Sequence, residues 1–259
     1  MNKITILTWG GIVITEVEKR GNYYFKREDL FCVNGVCGGK VRTCLALAQG
    51  ETKGLITAGS RQSPQANIVA HIAQHLGIKA KVHTPTGQLS PELINAKEIG
   101  AEVIQHQYGY NTVIVKRARD NAEELGWLEI PFGMECETAI IETSQQVENI
   151  PKEIKRIVIS VGSGMSLAGV LHGLIKFNRQ DIHVLGVQVG ADPIKRLDKY
   201  APTNWREMVT IVKSELDYHK HAPCKEIEGI KLDPVYEGKC VPFLEKGDLF
   251  WIVGVRKTV

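Results

Sequence analysis

The chain has 259 residues, a net charge of +3 and ordinary apolar and charged fractions. That length can bury a substantial core, as one large domain or two smaller ones. The small net charge and the lack of a long basic run give no argument for nucleic-acid binding, and no apolar stretch is long enough to span a bilayer.

Ile4 to Trp9 and Ile12 to Val17 read as two short strands around a Gly10-Gly11 turn. No small-residue cleavage site follows them, so a signal peptide is not expected. Without a secretion signal the expected setting is cytoplasmic and reducing, with the six cysteines as free thiols. There is no CxxC pair, and Cys32 and Cys37 have no nearby His/Cys partners, so no metal site is expected.

Tyr23-Tyr24-Phe25 is an apolar run that ends in a charged cluster, Lys26-Arg27-Glu28-Asp29. A loop follows, and then Gly38-Gly39-Lys40 opens an amphipathic segment, Val41 to Ala48. Leu55 to Ala58 predicts a buried strand. Ser63-Pro64 predicts a helix start, with serine as cap and proline first, and Gly77 closes that helix. Lys79 to Thr84 is the next strand, and Ser90-Pro91-Glu92 starts a helix that ends at Gly100. Ala101 to Gln105, Thr112 to Leu125 and Trp127 to Ile130 continue as strand, helix and strand. Cys136 to Val147 predicts a helix, Arg156 to Val161 a strand, Ser166 to Phe177 a helix and Ile182 to Val189 a strand. Ala191 to Glu228, with its prolines and mixed charge, reads as loop with one helix. Leu249 to Val255 is the last strand. Strand-helix alternation with short connections predicts parallel sheets covered on both faces.

Three stretches carry candidate chemistry. A lysine behind two glycines at a helix mouth, Lys40, tends toward a lower pKa and a more nucleophilic amine, able to form a Schiff base with an aldehyde. By spacing alone it is more often a solvated surface lysine. Gly162-Ser163-Gly164-Met165-Ser166 follows a strand and opens a helix, which makes an anion cradle of free N–H groups. A dinucleotide turn is the alternative, but the next strand ends Gln188-Val189-Gly190 without the acid such a site wants. A plain tight turn is the third reading. Gly59 to Gln65 is a second anion candidate, with Ser63 at a helix start.

KRED, the glycine-rich loop and Gly38-Gly39-Lys40-x-Arg42 resemble the fold-type II pyridoxal-phosphate (PLP) enzymes, which are tryptophan synthase β-like in fold. Within them the chain is most similar to the 1-aminocyclopropane-1-carboxylate (ACC) deaminase and D-cysteine desulfhydrase group. Asp233-Pro234-Val235-Tyr236-Glu237-Gly238-Lys239 resembles ACC deaminase almost letter for letter. The resemblance implies that Lys40 carries PLP and shuttles a proton, and that Gly162, Ser163, Gly164, Met165 and Ser166 hold its phosphate. It makes Glu237 the partner of the pyridine nitrogen and Tyr236 an acid/base or orienting group. Ser63 and Gln65 would receive a substrate carboxylate. Two positions depart from the family pattern. The asparagine usually found before the lysine is absent, and Pro64 replaces an asparagine that contacts the PLP ring oxygen. The segment between Gly190 and Leu232 is shorter than in family members, and the usual glycine pair near the end is replaced by Val253-Gly254-Val255-Arg256.

The expected architecture is α/β in two domains. Each is a mainly parallel twisted sheet with helices on both faces, and PLP lies in the cleft between them. Residues 51–132 would form a small domain, and residues 1–50 with 133–259 a large one. The expected function is that of a PLP-dependent lyase or deaminase acting on an amino acid or aminoacyl group through an α-carbanion. One alternative is a PLP-binding homologue with little turnover. Another is an enzyme whose trimmed lid admits an amino acid attached to a larger molecule, such as a modified nucleic acid. A homodimer is expected from the family.

Overall fold

The computed structural model describes residues 7–9, 12–51, 53–107 and 111–256. The chain starts with two antiparallel hairpins, β1 (Leu7–Trp9) with β2 (Ile12–Ile14) and β3 (Val17–Arg20) with β4 (Tyr23–Arg27). The expected Gly10-Gly11 turn lies outside the described residues. A third hairpin, β5 (Cys32–Val33) and β6 (Val36–Cys37), leads into α1 (Gly39–Ala48). The alternating block follows as β7 (Gly54–Ala58), α2 (Gln65–Leu76), β8 (Lys79–Pro85), α3 (Pro91–Glu98), β9 (Glu102–His106), α4 (Asn111–Leu125) and β10 (Leu128–Ile130). Next come α5 (Glu137–Gln145), β11 (Arg156–Val161), α6 (Met165–Lys176) and β12 (His183–Gln188). The remainder is α7 (Ile194–Tyr200), α8 (Trp205–Met208), β13 (Val209–Lys213), the hairpin β14 (Glu226–Ile227) with β15 (Ile230–Lys231), and β16 (Leu249–Ile252).

The chain divides into two compact units. The first is residues 1–31 with 137–255, and the second is residues 32–136 with 256–259. In the first, six strands lie in the order β13-β12-β11-β16-β4-β3, and only the β3–β4 pair is antiparallel. Alternate residues of the same strands enter two cores. Ile157, Ile159, Leu249 and Trp251 join α6 through Leu167 and Leu171. Val158, Phe250 and Ile252 join Phe25, Ile230 and Leu232 on the other face. This is the period-two burial of a sheet covered on both sides. The charged cluster before the loop is structural. Arg27 is bidentate to Asp29 at 2.9 and 2.7 Å and also reaches Glu18 at 2.8 Å. Lys26 is fully buried and donates to the Thr15 carbonyl and to Asn149 Oδ1 at 2.6 and 2.8 Å.

In the second unit four parallel strands lie in the order β10-β7-β8-β9. Ile56 and Ala58 pack on α4 through Ile114, Ala118 and Ala122. Helix α2 packs on β7 and β8, and α1 packs on α2. Lys40 and α1 therefore group with the second unit, whereas the sequence reading had placed them with the larger domain.

Three details differ from the sequence reading. Helix α2 begins at Gln65, because Ser60 to Ser63 forms a turn closed by a 3.0 Å bond from Ser63 N–H to the Ser60 carbonyl. The segment 191–228 holds two short helices, an edge strand, β13, and the short strand β14, rather than one helix. Cys32 and Cys37 are joined by a disulfide, which corrects the expectation of free thiols. Their pairing follows from the hairpin, whose register sets Cys32 opposite Cys37.

Candidate active site

In the first unit the site is built at the carboxyl ends of two neighbouring strands, β11 and β16, where parallel sheets place their ligands. Gly162 to Gly164 turn the chain from β11 into α6. Gly164 caps the helix in the left-handed region, at φ +91°. A Cβ there would lie 3.2 Å from Cβ of Pro193, and one at Gly162 would lie 3.0 Å from the Tyr236 ring. Glycine is thus called for at Gly164 by its backbone and fits tightly at Gly162, and the first-turn N–H groups of a twelve-residue helix are left facing the turn. Ser163 and Ser166 are half-buried, while the Met165 side chain goes into the core.

Glu237 lies beside this turn, in a short 3-10 segment, Glu237–Lys239. It is 1% exposed. Its Oε1 accepts from the Ser160 hydroxyl and the Val253 N–H, both at 3.2 Å, and so joins the ends of β11 and β16. Its Oε2 is buried and has no hydrogen-bond partner among the described residues. Burial, reinforced by the charge of Asp233, pushes this carboxyl well above the ordinary carboxylate range. A buried carboxyl oxygen without a partner is costly in a finished core and suits an atom that a ligand completes.

Tyr236 is half-buried, and its hydroxyl lies 3.1 Å from that of Tyr218. Sequence reasoning missed Tyr218, which lies in the segment that was hardest to read. Only the three-dimensional return of that segment to the Asp233–Lys239 turn reveals the pairing.

In the second unit Lys40 is the second residue of α1, directly after Gly38 (φ +127°) and Gly39, and is half-buried. Ser63 is half-buried before α2, and its Oγ accepts from the Gln65 N–H at 3.2 Å. The Gln65 side chain is committed elsewhere. Its Nε2 donates to Thr57 Oγ1 and the Pro131 carbonyl, both at 2.8 Å, and its Oε1 accepts from Gly133 N–H at 2.9 Å. Gln65 therefore braces the head of α2 against β7 and the turn after β10, and its amide does not face a ligand. Arg256 closes the same loop from the far end of the chain, donating to the Gln62 carbonyl at 3.3 Å.

Among the described residues there is no cluster of His, Cys, Asp and Glu fit for a metal, and no helix is long and apolar enough to cross a membrane.

An ACC deaminase from Cyberlindnera saturnus is 24% identical over 84% of this chain and 78% of its own length. One from Pseudomonas syringae pv. syringae is 26% identical over 90% of this chain and 85% of its own. A crystal structure described as an ACC deaminase homologue superposes with a TM-score of 0.78 at 25% identity, covering 97% of this chain and 91% of the other. The profile described as "Pyridoxal-phosphate dependent enzyme" matches residues 15–219, most of the length, and the chain belongs to that family of PLP-dependent enzymes.

Proposed function

We propose that the chain is a PLP-dependent lyase or deaminase acting on an amino acid or aminoacyl group. The observation that carries this reading is the buried, unpartnered Oε2 of Glu237 beside the glycine turn of β11 and α6. A heterocycle with a ring nitrogen and a phosphate arm fits that donor set, the nitrogen at Glu237 and the phosphate at the first N–H groups of α6. When bound, PLP supplies an aldehyde carbon for an amine and an electron sink for charge at a substrate α-carbon.

The roles of the chain's own residues follow. Lys40 is the residue that would hold PLP through its amine, and its Nζ would carry the substrate α-proton. Gly162, Ser163, Gly164 and Ser166 hold the phosphate, with Met165 anchoring the turn in the core. Glu237, on which burial favours a proton, would pass that proton to the ring nitrogen and face it as a carboxylate, which strengthens the electron sink. Ser63 Oγ and the backbone at the head of α2 receive the substrate carboxylate, and Gln65 holds that head in place. Tyr236 gives or takes a proton at the substrate, with Tyr218 orienting its hydroxyl.

The test is reduction with borohydride in the presence of PLP, followed by peptide mapping, together with a screen of amino acids for α-proton exchange in deuterium oxide. The pyridoxyl group is expected on Lys40, with at least one amino acid exchanging. Label on another residue, or no exchange and no cleavage with any amino acid, overturns the reading.

A further inference from the structure

The disulfide lies three residues before Lys40, and its setting does not suit a structural staple. It spans only four intervening residues, and cross-linking so short a loop removes less chain entropy than closing a long one. The hairpin also has other supports. Asn34 and Gly35 turn it with φ +49° and +84°, the geometry of a tight hairpin turn. Asn34 Nδ2 ties the tip to α2, donating to Gln74 Oε1 at 2.7 Å and to the His71 carbonyl at 3.3 Å, and Val36 is 3% exposed. The tip is thus held by α2, while the base is held by the two sulfurs. Immediately after the base come Gly38 and Gly39, the two residues with the most backbone freedom to lose, and then Lys40.

Access is the second observation. Cys32 is exposed and Cys37 half-buried, so Cys32 is the more accessible side of the bridge to a solvent thiolate. The nearest alternative thiol along the chain, Cys44 of α1, is fully buried, and burial pushes its pKa up, so it does not compete in exchange.

We infer that Cys32–Cys37 is a reversible redox site that controls how firmly Lys40 is presented, and hence how tightly the protein retains PLP. The inference rests on the role proposed for Lys40. In the exchange a dithiol supplies two electrons and two protons. Its first thiolate bonds to Cys32 Sγ, and Cys37 leaves as a thiolate and takes a proton. The second thiol of the reductant then displaces Cys32, closing the reductant's own disulfide and leaving two cysteine thiols in the protein. Oxidised, the base of the hairpin is fixed and the Gly38-Gly39 link starts from a set point. Reduced, the link regains freedom that must be lost again each time Lys40 engages.

The test is a PLP titration of the full chain, air-oxidised and after dithiothreitol, with thiols mapped by alkylation and PLP fixed by borohydride. The oxidised form should retain PLP roughly tenfold more tightly, the scale set by ordering about one backbone residue. Cys32→Ser/Cys37→Ser should match the reduced form and ignore dithiothreitol. If that variant does not fold, the oxidised and reduced wild type make the comparison alone. Label on Lys40 with equal affinity in both forms overturns the redox inference and leaves the proposed function standing. So does failure of the two cysteines to pair under oxidising conditions. Label absent from Lys40 overturns the proposed function, and this inference with it.

Discussion

The hydroxyls of Tyr218 and Tyr236 lie 3.1 Å apart, with their rings edge to face. Lys239 fixes the backbone of the first, donating to the Asp217 and Tyr218 carbonyls at 2.7 and 3.3 Å. Either phenol can be the donor and the other accepts, so Tyr218 holds the Tyr236 oxygen in place whichever way the proton runs. Tyr218→Phe removes that oxygen alone. The expected result is a fall in kcat of about fivefold to tenfold, the worth of one neutral hydrogen bond, with a shifted pH profile and little change in PLP affinity. A pH profile identical to wild type counts against the pairing as an orienting contact.

Glu237→Gln keeps the size of the side chain but cannot hold a charge opposite a ring nitrogen. PLP should still bind. Exchange of the substrate α-proton should slow by roughly a hundredfold, because the interaction strengthens only as charge develops. Equal exchange rates in deuterium oxide for variant and wild type would falsify the assignment of Glu237.

Gly164→Val places a branched side chain at φ +91° and within 3.2 Å of Pro193 Cβ. The backbone strain alone should cost about 1–3 kcal/mol in chemical denaturation. The displaced N–H groups should weaken PLP binding by at least about tenfold if the phosphate sits on the helix start. Loss of stability with unchanged PLP affinity would separate the two effects and move the phosphate elsewhere.

Gln65→Ala removes the amide that joins Thr57 Oγ1, the Pro131 carbonyl and the Gly133 N–H. A hydrogen bond of this kind is worth about 0.5–1.5 kcal/mol, so a lower denaturation midpoint is expected. The informative readout is KM. It should rise for amino acids and stay level for amino-acid amides, which lack the carboxylate that the head of α2 would receive. Equal rises for both would make Gln65 a brace of the fold alone.

His83 Nδ1 and His106 Nε2 are 2.9 Å apart. Arg117 donates to His106 Nδ1 at 3.0 Å, so His106 donates from Nε2 to His83, and His83 donates from Nε2 to Asn121 Oδ1 at 3.3 Å. That relay needs two neutral rings. Burial comes first in holding both below the usual histidine value of about 6.5, with Arg117 acting on His106, and His106 and Lys81 on His83. Asn121 and Glu102 oppose the shift at His83. The unfolded chain therefore binds protons that the fold refuses. The pair's contribution is complete above about pH 6.5 and is lost as pH falls through the lower folded values. The melting temperature should drop between about pH 7 and about pH 5, and His83→Gln should flatten that slope.

Local signals made the second unit's alternation readable. Ser90 caps α3 with a 3.4 Å bond to the Leu93 N–H, and Gly77 ends α2 at φ +70°, both as the residue types imply. Strand β13 was hidden because Val209–Lys213 sits among prolines and charges and forms a half-buried edge, so its evidence is the neighbouring strand β12 rather than its own pattern. The disulfide had a usable signal. Val33-Asn34-Gly35-Val36 is a hairpin turn sequence, and it sets Cys32 opposite Cys37. The Gln65 brace had none, since its three partners come from Thr57, Pro131 and Gly133. The motif around Glu237 was legible as letters, but its unpartnered oxygen exists only once β11, β16 and the 3-10 segment are assembled.

Strand β16 runs between β11 and β4, pairing Leu249 with both Ile157 and Tyr24. A ribosome delivers it after the other five strands of its sheet. Until it emerges, β3 and β4 have no sheet to join, and β11 to β13 end in an open inner edge. The continuous stretch 32–136, by contrast, holds its whole parallel sheet and is free to fold while synthesis continues. Proteolysis of stalled nascent chains should find that stretch protected before either flank. A chain released before Leu249 carries two unjoined halves of one sheet, each with bare strand edges of the kind that recruit other chains, so early termination here produces an aggregation hazard rather than a weaker enzyme.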